Sequence, residues 1–273
     1  MKHKEISYKG TSIYYKISGD GLPVFLIHGF GEDGQIWDMQ TESLSGQFQI
    51  IIPDIPGSGK STSLIGNKIE IDDYADCIKA IASEEKITDF VMIGHSMGGY
   101  ISLAYLNKYP NDLAGIGLFH STAYPDDEQK IETRKKAIQF IESNGSIAFL
   151  KTSIPGLFYN PELNKQHINP LIERSTVFSK EQLIQYYEAM IRRPDRTSIL
   201  KKAKIPVLIV AGTHDIAISK EAMLQQAGMP DVCHFFMLKN SGHMGMLEET
   251  HYSNEILGKF LQSFILKRKH ARN

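Results

Sequence analysis

Gly94-His95-Ser96-Met97-Gly98-Gly99 sets one serine between glycines placed two residues to either side. Such a serine can be presented as a nucleophile, because tiny neighbours let a strand and a helix approach while its own backbone bends sharply between them. A hydroxyl is a weak nucleophile at neutral pH, so it needs a positioned base, and the base needs an acid to orient it. Downstream, Asp215 in Ala211-Gly212-Thr213-His214-Asp215 and His243 in Asn240-Ser241-Gly242-His243-Met244 supply both, in the order serine, acid, histidine. The chemistry is attack of Ser96 on an acyl carbonyl, with His243 taking the proton and Asp215 holding the imidazole. His214, beside Asp215, is the competing base, and Asp195 is a weaker competing acid because it falls in an inserted segment. A base of this kind works only unprotonated, so activity is expected to climb through about pH 6 to 7, where an ordinary imidazole loses its proton.

These residues need strands to carry them. Glu5–Tyr8 and Ser12–Ser18 read as a hairpin, and short apolar runs then recur at Pro23–Ile27, Phe48–Ile52, Phe90–Ile93, Ala114–Phe119, Pro206–Val210 and Cys233–Leu238. Most are continuous rather than alternating, which suits strands covered on both faces. Helix-length segments lie between them: Ile69–Ala82, Met97–Lys108, Lys220–Ala227 and Thr250–Leu266. The alternation predicts an α/β fold, a mostly parallel sheet flanked by helices. Ser96, Asp215 and His243 would then all stand beyond the carboxyl ends of parallel strands, where open α/β sheets bind ligands. The alternation breaks between Tyr124 and Ser198, where the amphipathic runs Glu132–Glu142 and Lys180–Ile191 are interrupted by Pro155, Pro161, Pro170 and Pro194. This stretch reads as a helical cap over residues 121–195, with the core formed by 1–120 and 196–273.

A chain of 273 residues with 42% hydrophobic and 22% charged residues can bury a core without disulfide or metal staples. Its net charge of −1 gives no reason to propose nucleic acid or an anionic surface as partner. Only the terminal run Lys267, Arg268, Lys269, His270 and Arg272 is basic, and it reads as a solvated end. The polar Met1–Ser7 does not read as a signal peptide, and no apolar stretch is long enough to span a membrane. A cytoplasmic protein is therefore the expectation, and in one Cys77 and Cys233, which lie in no metal-like spacing, read as small buried or half-buried residues. Asp54-Ile55-Pro56-Gly57-Ser58-Gly59-Lys60-Ser61-Thr62 imitates a phosphate-binding loop. The G-x-x-x-x-G-K-[ST] spacing, however, requires glycine at 54, where Asp54 would set negative charge beside the phosphates.

The Gly94–Gly99 elbow, together with Leu26-Ile27-His28-Gly29-Phe30-Gly31, resembles the α/β-hydrolase superfamily in its soluble, cap-bearing serine hydrolase branch, over nearly the whole chain. The 54–62 loop is similar to that family's D-x-P-G-x-G-x-S loop after the fourth strand. The resemblance implies an oxyanion hole built from the backbone N–H groups of Phe30 and Met97, and it implies no metal or organic cofactor. It puts His28, Gly29 and Trp37 near the pocket, with core packing the alternative for Trp37. His120 ends a strand and either faces the pocket or serves as a structural histidine. The implied activity is hydrolysis of a small to medium, partly apolar ester, thioester or lactone, the cap supplying apolar residues from Phe140 to Met190. Carbon–carbon bond hydrolases and perhydrolases share the same triad, and a ligand-sensing signalling protein of this fold is the non-enzymatic alternative. Serine rather than aspartate at the elbow separates the chain from haloalkane dehalogenases and epoxide hydrolases. The expected partner is a small-molecule acyl substrate, and oligomeric state is not legible in the sequence.

Overall fold

The apolar runs become the strands of a single sheet in a computed structural model that describes residues 1–270, with side chains through Leu266. The basic run Lys267, Arg268, Lys269, His270 and Arg272 lies beyond the last described side chain. The strands are β1 (Lys2–Tyr8), β2 (Thr11–Ser18), β3 (Leu22–Ile27), β4 (Phe48–Pro53), β5 (Phe90–His95), β6 (Leu113–Phe119), β7 (Val207–Gly212) and β8 (Cys233–Leu238). They lie in the order β1-β2-β4-β3-β5-β6-β7-β8. The leading hairpin pairs antiparallel within itself and with β4, and every other pairing is parallel. β5 and β7 are buried along their whole length, as their unbroken apolar sequences require, whereas the edge strand β8 is mostly half-buried.

The helices are α1 (Asp38–Leu44), α2 (Ile71–Glu84), α3 (Met97–Lys108), α4 (Glu128–Asn144), α5 (Ser146–Ser153), α6 (Lys165–Arg174), α7 (Lys180–Arg192), α8 (Thr197–Lys202), α9 (Lys220–Ala227), α10 (Gly245–Glu248) and α11 (Thr250–His270). α2 starts two residues later than its apolar pattern, because Glu70 and Asp73 form a reciprocal capping box that fixes the first turn. α4 to α7 form the helical insertion between β6 and β7. Pro170 does not break that insertion as expected but sits inside α6. The one hydrogen bond it forfeits belongs to the carbonyl of Gln166, an exposed residue. α7 turns Leu183, Tyr186, Ala189 and Met190 inward on one face, and the Tyr186 hydroxyl donates to the Pro56 carbonyl at 2.7 Å, fastening insertion to sheet.

At the join between β5 and α3 strand and helix approach very closely. A Cβ on Gly94 would stand 2.1 Å from the Gly98 carbonyl oxygen, and one on Gly98 would stand 2.3 Å from that of Ile27. Both contacts are far inside van der Waals range, so the two glycines are required for the elbow to close. No described helix is long and apolar enough to cross a membrane.

Candidate active site

Ser96, Asp215 and His243 follow β5, β7 and β8 and so reach the same edge of the sheet. Ser96 sits at φ 51°, ψ −117°, a conformation that costs a non-glycine residue about 1–3 kcal/mol and persists only where its surroundings enforce it. Here the Ser96 N–H donates to the Phe119 carbonyl at 3.0 Å, and the Ser121 hydroxyl donates to the Ser96 carbonyl at 2.7 Å. Asp215 is held from four directions. Its Oδ1 accepts the N–H groups of Ala217 and Ile218 at 2.8 and 3.0 Å, and its Oδ2 accepts Nδ1 of His243 at 2.9 Å and Nδ1 of His120 at 3.0 Å. Burial pushes the Asp215 carboxyl up, but the His243 and His120 rings outweigh it and hold the group well below the usual carboxylate range. The described residues show no hydrogen bond between the Ser96 hydroxyl and His243; a substrate complex is where such a contact tightens.

The histidine loop is fixed by residues that sequence reasoning passed over. The Glu248 carboxylate accepts the N–H groups of Gly242, Met244 and Tyr159, and Glu249 accepts the Asn240 N–H and the Ser241 hydroxyl. His243 N–H donates to the Leu157 carbonyl at 2.7 Å, so the insertion also grips the loop. His95, next to the serine, has Nδ1 3.0 Å from Glu32 and Nε2 2.9 Å from the His243 carbonyl oxygen. A carbonyl can only accept, so Nε2 carries a proton, and the Glu32 partner draws a second proton to Nδ1. Burial works against the charge, yet Glu32 holds the His95 imidazole above its ordinary value. Glu32 also accepts the Gly29 N–H at 2.7 Å. One buried ion pair therefore ties the elbow to both the loop after β3 and the histidine loop.

Beside Ser96 and His243 opens a cavity of about 1010 Å³. Phe30, Leu157, Met190 and Ile218 line it together with the polar residues Glu32, Tyr100, Asp126, Arg134 and Arg193. Of the apolar residues of the insertion from Phe140 to Met190, Leu157, Tyr187 and Met190 reach the wall. Phe149 and Tyr186 instead set their edges against the Phe30 ring, while Phe140 and Tyr159 are exposed.

The sequence profile of the alpha/beta hydrolase fold family matches residues 23–250. The chain belongs to that family. Lipase 1 of Psychrobacter immobilis is 24% identical over 249 residues, spanning 88% of this hydrolase and 77% of the lipase. A thermophilic esterase from Thermogutta terrifontis, solved with malate bound, superposes with a TM-score of 0.86 at 25% identity, covering 96% of this chain and 99% of its own. The enol-lactonase from Burkholderia xenovorans LB400 gives a TM-score of 0.85 at 21% identity, covering 95% and 100%, a likeness of fold.

Four residues expected near the pocket of the hydrolase do not line it. His28 is fully buried, its Nε2 taking the Ile55 N–H at 3.0 Å and lying 2.8 Å from the Ser58 hydroxyl, so it anchors the loop after β4. Trp37 is fully buried with its ring edge-on to Phe119, which is the packing alternative. Gly29 runs behind the serine, a Cβ there standing 3.1 Å from Ser96 Cβ. His120 is spent on Asp215. The competitors fall away for similar reasons: His214 stacks on Tyr159 at 3.5 Å between ring centroids, and Asp195 accepts the Thr197 N–H at the start of α8. The phosphate-loop mimic is closed on itself, since Asp54 accepts the Lys60 N–H at 2.8 Å and the Gly34 N–H at 2.9 Å. The chain's own carboxylate thus fills the place an anion would need.

His120, Asp215 and His243 offer ligand atoms within 4.8 Å of one another, close enough to hold a metal ion. The same distances suit one carboxylate shared by two imidazole N–H groups, and only that arrangement leaves His243 free to act as a base at Nε2. Burial lowers the His120 imidazole to about 4, and Asp215 only partly opposes this. Its Nε2 has no partner among the described residues, which suits a neutral ring protonated at Nδ1. The folded value lies below the ordinary one, so the unfolded chain takes the proton first. Stability is then full above about pH 6.5 and is lost toward pH 4, by about 3 kcal/mol from this group. Thermal melts at pH 7 and 4.5 should therefore show His120→Gln losing markedly less stability on acidification than the wild type. Equal losses would mean that His120 is charged in the folded protein.

Proposed function

We propose that this hydrolase cleaves carboxylic esters, thioesters or lactones through an acyl-enzyme on Ser96, with residues 121–195 acting as a cap over the site. The observation that carries the reading is the strained Ser96 backbone, which turns its side chain into the cavity that His243 also lines. In the first step His243 Nε2 takes the Ser96 proton as Oγ bonds to the substrate carbonyl carbon. Asp215 accepts the Nδ1 proton's hydrogen bond and stabilises the imidazolium that forms. The oxyanion is held by the Phe30 and Met97 amides; the Met97 N–H is the first of α3 and has no acceptor within its own helix. Collapse returns the His243 proton to the departing alkoxide or thiolate. Water, deprotonated by the same His243, then attacks the acyl-serine and releases the acid with Ser96 restored.

Labelling with a fluorophosphonate tests the reading directly. Wild type should be labelled at one site and Ser96→Ala not at all, and a panel of esters, thioesters and lactones should then be turned over repeatedly. An unlabelled wild type, or a Ser96→Ala variant labelled as well as wild type, would defeat the proposal.

A further inference from the structure

At one place on the cavity wall a single carboxylate faces two guanidiniums, a local excess of positive charge that hydrolysis by itself does not require. Asp126 has no exposed side-chain surface, and it faces two guanidiniums: Arg134 Nε at 2.6 Å from Oδ2 and Arg193 Nη1 at 2.9 Å from Oδ1. The side chains of Arg134 and Arg193 are 11% and 4% exposed. The remaining bonds of Arg193 go to the carbonyls of Met190 and Tyr124, which are neutral, and its buried Nε has no partner among the described residues. Lys130 likewise spends its ammonium on the Ala217 carbonyl. Buried charge left without its counter-charge is costly, so this wall favours an incoming anion.

The other carboxylates on the wall do not supply that anion. Among the described residues none of them forms an ion pair with Arg134 or Arg193: Glu32 lies against His95, and Asp127, Asp195 and Glu221 are exposed to water. At the inner side stands Tyr100, its ring 4.0 Å from the Arg193 guanidinium carbon. Its hydroxyl has no hydrogen-bond partner among the described residues, although the residue is 3% exposed. Burial pushes the Tyr100 phenol up, yet Arg193, Lys130 and Arg134 together hold it below its ordinary value, the mark of a positive potential at that oxygen. Tyr100 lies four residues after Ser96 on α3, hence about one helical turn, roughly 5.4 Å, along the axis from the serine.

We infer that Tyr100, Arg134 and Arg193 form a subsite for a carboxylate on the acyl part of the substrate, a few bonds from the scissile carbonyl. The hydroxyl donates one hydrogen bond, and the guanidinium side of Arg134 turned from Asp126 supplies a charge-assisted one. The substrate class is then a monoester of a short dicarboxylic acid, or a lactone bearing an acid group. This rests on the acyl-serine reading above.

The test compares monoethyl glutarate with ethyl hexanoate by ethanol release, alongside fluorophosphonate labelling of every protein used. Wild type should favour the acid by about ten-fold or more in kcat/KM, the worth of one charge-assisted hydrogen bond. Arg134→Met and Tyr100→Phe should each pull that ratio toward one, mainly through KM, while Arg134→Lys keeps part of it. Added salt should lower the wild-type ratio. A labelled wild type that hydrolyses ethyl hexanoate as well as the monoester would overturn the subsite and leave the serine hydrolase standing. Variants that stay labelled with the ratio unmoved would overturn it too. A wild type neither labelled nor active on either ester would remove the acyl-serine reading and the subsite with it.

Discussion

Ser96→Ala should lower kcat by about 10⁶-fold and Asp215→Asn by about 10⁴-fold, while the double replacement should be little slower than Ser96→Ala alone. The reason lies in the shared carboxylate. Asp215 acts only by keeping the His243 proton on Nδ1 and by stabilising the imidazolium, and both matter only while a serine hydroxyl waits to be deprotonated. An amide at 215 would face two Nδ1 atoms with a donor, so each of His243 and His120 would be pushed toward its other tautomer. KM should change little, because Asp215 has its carboxylate buried against those rings and away from substrate. The measurement is kcat for the wild type, both single variants and the double variant on one reactive ester, with active-site titration to subtract wild-type contamination. An Asp215→Asn enzyme within about ten-fold of wild type would remove Asp215 from the role.

The second large effect belongs to the ion pair behind the elbow. Glu32→Gln is expected to destabilise the fold by about 3–5 kcal/mol, since it leaves a buried cation without its counter-charge. Activity should fall as well, on the order of 10²-fold, because Glu32 also holds the Gly29 N–H and, through His95, the carbonyl of His243. The pH dependence has a definite sign. Burial pushes the Glu32 carboxyl up, but His95 and the Gly29 N–H hold it below its ordinary value, so its contribution is present above about pH 4.3 and lost as pH falls. His95 is held above its ordinary value, so its contribution is complete below about pH 6.5 and fades as pH rises. The gap in unfolding free energy between wild type and Glu32→Gln should therefore be widest between about pH 4.5 and 6.5 and narrower on both sides. Denaturant melts across pH 4 to 9 would show this, and a gap independent of pH would mean that the pair is not ionised.

The sequence by itself determined the features that are local along the chain. Gly94 and Gly98 announce an elbow because the steric demand they answer, strand against helix, acts within four residues. The unbroken apolar runs announce β3 to β7 because a strand covered on both faces has no polar alternation to interrupt it. The serine, acid and histidine could be placed on one sheet edge because each directly follows such a run. Tertiary structure decided what depends on partners far apart in sequence. Glu32 and His95 are 63 positions apart, and His120 and Asp215 are 95 apart; no spacing rule joins either pair. The polar part of the cavity wall escaped the sequence for the same reason. Helix periodicity shows which residues of α4 and α7 are apolar, but not whether a given face meets the sheet, another helix or the open site. The amphipathic reading of the insertion therefore found its glue and missed Arg134, Arg193 and Asp126, whose placement follows from how three separate segments pack.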